Sequence, residues 1–127
     1  MSKEKPSKPS NMEMQILSVL WGKGPLPVKD INPAMPDKKK RAYTTVLTLL
    51  QLMEKKGLVA HARDGVRHIY RAKKSRDHIL EPFMNDLVSN VFGGNPLSAM
   101  QCLMDNQSFS SDEIAQIRKM LDDMEEN

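Results

Sequence analysis

Four consecutive cations, Lys38, Lys39, Lys40 and Arg41, stand directly ahead of a segment rich in threonine and leucine. Within that segment Thr44, Thr48, Gln51 and Lys55 are three or four residues apart, so a helix sets them on one stripe. Tyr43 and Leu47 also fall away from the apolar side. Hydroxyls and an amide can hydrogen-bond base edges or phosphates, and Leu47 or a threonine methyl can pack on a thymine methyl. The cations, beside a helix N-terminus whose dipole and free N–H groups favour anions, suit phosphate. Such contacts position a protein on a duplex without reading its sequence. A second pair, Arg63 and Arg67, flanks Asp64-Gly65, where a hairpin tip could reach a minor groove or backbone.

Other reactive side chains form no comparable set. No Gly-rich phosphate loop, HExxH pair or nucleophile elbow occurs, which argues against an enzyme. His61, His68 and His78 are scattered; two imidazoles facing across a hairpin make at most half a tetrahedral metal site, so these read as surface histidines. Neither a metal nor another cofactor is expected. Cys102, the single cysteine, has no internal disulfide partner and sits among apolar residues, which predicts a small buried hydrophobe.

The elements that must carry these residues follow from periodicity. Met12 to Trp21 places Met14, Ile16, Leu17, Val19, Leu20 and Trp21 on a broad helical stripe closed by Gly22 and Gly24-Pro25. Val28 to Met35, bracketed by prolines, predicts a brief helix. A stronger helix is expected from Arg41 to Lys56, burying Ala42, Val46, Leu49, Leu50 and Met53 and ending at Gly57. Leu58 to Arg63 and Val66 to Ala72 are β-prone and are joined by Asp64-Gly65, the signature of a hairpin. Helix, short helix, helix and hairpin in this order predict a winged helix-turn-helix over residues 11–74, preceded by a disordered basic arm over 1–10.

Charge divides the chain sharply. Residues 1–76 carry 17 Lys and Arg against six Asp and Glu, a balance of +11, whereas residues 77–127 carry two against ten, a balance of −8. The basic half is the one suited to a polyanion. No apolar run approaches the roughly 18 residues that cross a bilayer, and the polar first residues lack a signal-peptide core, so a cytoplasmic location is expected.

Residues 75–127 predict a helical dimerisation segment. Ile79, Leu80, Phe83, Leu87, Val88 and Val91 line a helix that stops at Gly93-Gly94. Asn95-Pro96 opens a helix carrying Leu97, Met100, Leu103 and Met104, and Ser110 with Glu113 forms a capping box before Ile114, Ile117, Leu121 and Met124. Roughly 50 residues enclose too small a core alone, and a second copy of the chain would supply the missing surface.

The segments MEMQILSVLW, AYTTVLTLLQLMEKKGLV, RDGVRHIYRA, VFGGNPLSAM and SSDEIAQIRKML together resemble the penicillinase repressor family, of BlaI/MecI type, over about residues 11–124. The resemblance implies a mainly α chain with a small β-hairpin, a homodimer, and repression from an inverted-repeat operator in double-stranded DNA. It assigns DNA contacts to Thr44, Thr45, Leu47 and Thr48. The chain departs from relatives that carry arginine at the positions of Leu47 and Leu52. Where the β-lactam-responsive branch has a cleavable Asn-Phe bond this chain has Cys102-Leu103, and its EEN tail lacks the cysteines of the copper-responsive branch. The inactivating protease or effector is therefore left open. The competing reading is a winged-helix adaptor that binds protein and not DNA; the excess of positive charge in the first half argues against it.

Overall fold

The computed structural model describes residues 9–127, which form six α-helices and one three-stranded antiparallel sheet. Internal contacts divide the chain into two units, one ending at Phe83 and one beginning at Met84. Of the expected N-terminal arm, residues 1–8 lie outside the described residues. Pro9 is buried and Ser10 caps the first helix, so the ordered unit begins earlier than position 11.

Helix α1 (Asn11–Lys23) starts in a capping box: Ser10 Oγ accepts from the Glu13 N–H at 3.2 Å, and Glu13 Oε1 accepts from the Ser10 N–H at 2.8 Å. It ends at Gly24, whose φ of 83° lies where a side chain would be strained. Its inner face buries Ile16, Leu17, Val19 and Leu20. Trp21 at the edge of that face donates its indole N–H to the Lys74 carbonyl at 2.9 Å. After the short strand β1 (Leu26–Pro27) come α2 (Val28–Ala34) and α3 (Tyr43–Lys55). Pro33 falls in the last turn of α2, a seven-residue helix, and the chain leaves it at once.

The core joins α1, α2 and α3 to the sheet. Ile31 and Met35 from the α2 region and Leu50 and Met53 from α3 are fully buried with Ile16 and Leu17. Removing so much apolar surface from water is the main force holding the three helices together. Strands β2 (Val59–Asp64) and β3 (Arg67–Ala72) add Val59 and Tyr70 to this cluster. Burial raises the Tyr70 phenol above its ordinary value, and the nearby Glu54 and Tyr43 charges push in the same direction.

Two details of the hairpin differ from expectation. Asp64 pairs with Arg67, so the two turn residues are Gly65 and Val66, not Asp64 and Gly65. Gly65, with φ of 66°, takes the first central position, the place of glycine in a type II′ turn. The sheet also gains β1, which pairs Leu26 with Tyr70 and Pro27 with Ile69 on the free edge of β3. Proline is tolerated there because an edge strand need not donate from every residue.

Helix α4 (Arg76–Asn90) spans the division between the units. Ile79 is buried in the first unit, whereas Leu80 and Phe83 are half-buried. Val91 lies just beyond the helix end, its N–H still donating to the Leu87 carbonyl at 3.0 Å, and Gly93 and Gly94 follow with φ of 60° and 80°. In the second unit, α5 (Pro96–Asn106) is capped by Asn95 Oδ1 accepting from Leu97 and Ser98, and α6 (Ser111–Glu125) by the expected Ser110–Glu113 box. Neither α5 nor α6 buries a residue fully. Cys102 is exposed on α5, contrary to expectation, because among the described residues no element covers that face. No described helix is long and apolar enough to cross a membrane.

Candidate nucleic-acid interface

The approach to α3 is built around Asp37. Its carboxylate accepts from both terminal nitrogens of Arg41, from the Lys39 N–H at 3.0 Å and from Gln15 Nε2 at 3.2 Å, while its own N–H donates to Gln15 Oε1 at 3.0 Å. The Arg41 guanidinium and these further donors hold the Asp37 carboxyl well below the usual carboxylate range. Arg41 also donates to Asn32 Oδ1 at 3.1 Å and to the Lys39 carbonyl at 3.2 Å. Arg41 thus differs from its three neighbours: its cation is spent inside the chain, tying α1, the turn and the start of α3 together.

Lys38, Lys39 and Lys40 are exposed and make no ion pair among the described residues. Lys38 has φ of 59°, the only non-glycine residue with positive φ among those described. Backbone strain of this kind persists only where the surroundings enforce it. Here the Lys38 N–H donates to the Met35 carbonyl at 3.1 Å and Asp37 holds the next amide. Three flexible cations are thereby presented at one corner.

Helix α3 turns Val46, Leu50 and Met53 inward. At about 100° per residue, Thr44, Thr48, Gln51 and Lys55 fall within an arc of about 60° on the opposite side, and all four are exposed. Thr45 and Leu52 flank this arc on one side and are exposed. Leu47, on the other flank, is half-buried against the core and is not the exposed contact expected for it. Tyr43 is 57% exposed at the helix start. Ala42 is exposed as well, since it is the residue that precedes the helix and not part of its buried face.

The hairpin divides its arginines between two faces. Cross-strand partners share a face, and faces alternate along a strand. The register therefore groups His61, Arg63, His68 and Tyr70 on one side, and Asp64 and Arg67 on the other. The first side faces the C-terminal part of α3: His61 Nδ1 lies 2.7 Å from Glu54 Oε1, and the His61 and His68 rings stack with centroids 4.5 Å apart. The histidines face one another, but they engage Glu54 and each other; no group of three metal-ligating side chains occurs among the described residues. Arg67 pairs with Asp64 at 2.8 Å, whereas Arg63 makes no ion pair among the described residues.

Sequence reasoning did not find Glu13. It is buried, with Lys56 Nζ at 3.0 and 3.3 Å from its two oxygens. Burial alone would raise this carboxyl; the Ser10 N–H and Lys56 outweigh it, and the carboxyl lies below its ordinary value. The pair joins the start of α1 to the end of α3, and its signal in the sequence is the SNME capping box.

The residues expected to dimerise separate into three groups. Ile79 is buried within the first unit, with 9% of its surface exposed. Leu80, Phe83, Val88 and Ile117 are half-buried. Leu87, Val91, Leu97, Met100, Leu103, Ile114 and Leu121 are exposed, Leu97 to 73%.

A helix-turn-helix whose outer helix presents polar side chains, followed by a β-hairpin wing, defines the winged-helix class of proteins. The sequence profile of the penicillinase repressor family matches residues 9–123, and the chain belongs to that family. It is similar to the transcriptional regulator BlaI of Mycobacterium tuberculosis, with 32% identity over 82 residues, covering 64% of this chain and 59% of that protein. The penicillinase repressor of Staphylococcus aureus is 21% identical over 115 residues, covering 91% of each chain, and the methicillin resistance regulatory protein MecI of Staphylococcus aureus is 21% identical over 112 residues, covering 88% and 91%. Among solved structures, a MarR family protein from Bacillus stearothermophilus aligns with a TM-score of 0.47 at 24% identity, covering 92% of this chain and 73% of that one.

Proposed function

We propose that this protein is a transcriptional repressor that binds an inverted-repeat operator in double-stranded DNA as a homodimer. The observation that carries the reading is the exposed stripe of Thr44, Thr48, Gln51 and Lys55 beside three lysines with no ion pair among the described residues. In this reading Thr44, Thr45, Thr48 and Gln51 meet base edges, with Tyr43 and the outer part of Leu47 against sugar or thymine methyl. Lys38, Lys39, Lys40 and Lys55 meet phosphates, and Arg63 and Arg67 extend the footprint along the wing. Arg41 acts indirectly, by fixing the turn that delivers the lysines.

The second unit supports the dimer. Its helices leave Leu97, Leu103, Ile114, Met120, Leu121 and Met124 between 41% and 73% exposed. Apolar stripes of this extent on short helices mark an interaction surface, and a second copy presents the same stripe in a self-complementary pairing. Two copies of α3 would then enter successive major grooves about 34–36 Å apart for half-sites one turn apart. Names of family relatives, a transcriptional regulator and penicillinase repressors, agree with repression as the outcome.

The test is a titration of operator-length and scrambled duplexes at several salt concentrations. True phosphate binding weakens steeply with salt. Thr44→Ala with Thr48→Ala should lower the preference for operator over scrambled duplex by about tenfold. Absence of binding even at low salt would overturn the reading.

A further inference from the structure

The first unit holds a cavity of about 140 Å³ where the end of α3 and the start of β2 meet α4, and none of the DNA-facing residues line it. Its apolar wall comes from Pro9, Leu58, Ile79, Pro82 and Phe83. Its other side chains include three nitrogen bases, Lys56, Lys74 and His78, and no carboxylate lines it among the described residues. Chemistry of this kind discriminates: an apolar body is wanted at the wall and an anion at the edge.

Size narrows the occupant. An apolar cavity of about 150 Å³ accepts a benzene ring, so this one fits a single ring-sized body and little more. The Lys56 side chain and the backbone at Lys74 and His78 are held in place. Lys56 has three N–H donors, and Glu13 engages its Nζ at 3.0 and 3.3 Å without exhausting them. Lys74 is fixed at its main chain by the Trp21 indole, and His78 by its N–H donating to Ser75 Oγ at 3.1 Å. Lys74 makes no ion pair among the described residues, which leaves it to pair with an incoming anion.

The geometry points to a binding site here for a small carboxylate that carries one ring-sized apolar group. An occupant touches the end of α3 and the first turns of α4 together, at the exit of the DNA-reading unit. The inference is independent of the DNA-reading proposal and stands or falls by ligand binding alone.

The probe is benzoate, with benzyl alcohol as the uncharged analogue and acetate as the anion without a ring, each titrated into ¹⁵N-labelled full-length protein. Benzoate should produce saturable amide shifts at Lys56, Gly57, Leu58, Lys74 and Ile79, at the roughly millimolar affinity of so small a ligand. Benzyl alcohol and acetate should each bind about tenfold more weakly, and Lys74→Gln, an exposed position outside the core, should weaken benzoate about tenfold. The proposal is overturned if no saturable shift appears, if benzyl alcohol binds as well as benzoate, or if Lys74→Gln changes nothing. Shifts centred on Lys38–Lys40 would mean diffuse anion binding, and shifts that follow protein concentration instead of benzoate would make a second copy the occupant; either overturns it.

Discussion

The contrast between Arg41 and the three lysines before it can be measured. Changing Lys38, Lys39 and Lys40 to glutamine removes three exposed charges and leaves the Asp37 cluster intact. Each phosphate contact on B-DNA contributes about 0.9 to the slope of log K against log salt, so losing three flattens the slope by about 2.7 per protomer. Over a fourfold rise in salt, the unaltered protein should lose about 40-fold more affinity per protomer than the variant. Arg41→Gln should behave in the opposite way. It unties Asp37 and releases Asn32 Oδ1, so the melting temperature should fall by roughly 5 °C while the slope at permissive temperature stays within about 0.5 of the original. The assays are anisotropy of a dye-labelled duplex at four salt concentrations and thermal melts followed by circular dichroism. An unchanged slope in the lysine variant, or an Arg41 variant that flattens it as much, would refute the division of labour.

Glu13→Gln should cost about 1–3 kcal/mol at neutral pH through the lost charge-assisted bonds to Lys56 and Ser10. Because the folded-state pKa of Glu13 is depressed, its contribution is complete above the ordinary carboxylate range and disappears as pH falls through the folded value; the gap between wild type and variant in urea denaturation should close accordingly. Leu50→Ala opens a hole in a fully buried cluster and should cost about 2–5 kcal/mol by the same measurement. A Cβ at Gly65 meets open space, so Gly65→Ala should cost the roughly 1–2 kcal/mol of a positive-φ backbone and no steric clash, seen as faster amide exchange in β2 and β3. Leu97→Glu with Leu121→Glu should convert dimer to monomer in sedimentation velocity and weaken operator binding through lost bivalency, with the melting of the first unit unchanged.

Local signals made much of this architecture readable in advance. The apolar spacing of Ile16 to Leu20 and of Val46 to Met53, the glycines after α1 and α3, and the Asn95 and Ser110 caps each act within a turn or two of chain. What escaped depends on partners far apart in sequence. Strand β1 is two residues long beside a proline, and only the free edge of β3 gives it a strand partner. Glu13 and Lys56 are 43 positions apart, and Gln15 and Asp37 are 22 apart. Arg41 looked like the last member of a basic run because nothing local shows Asp37 and Asn32 converging on it. The hairpin turn moved by one residue because pairing of Asp64 with Arg67 puts glycine at the first turn position, where its positive φ is wanted. The half-burial of Leu47 has a similar cause: periodicity alone does not fix the width of a buried stripe, and neighbouring elements cover its flank.

Trp21 is the chain's only tryptophan, and its indole N–H donates to the Lys74 carbonyl in the link between β3 and α4, within the first unit. The molecule therefore carries a built-in optical reporter whose emission answers to one unit and is blind to the other. Ultraviolet excitation of that indole gives the melting of the first unit directly, with no dye attached, and peptide circular dichroism sums over both units. Subtracting one signal from the other separates the two transitions in a single unmodified sample.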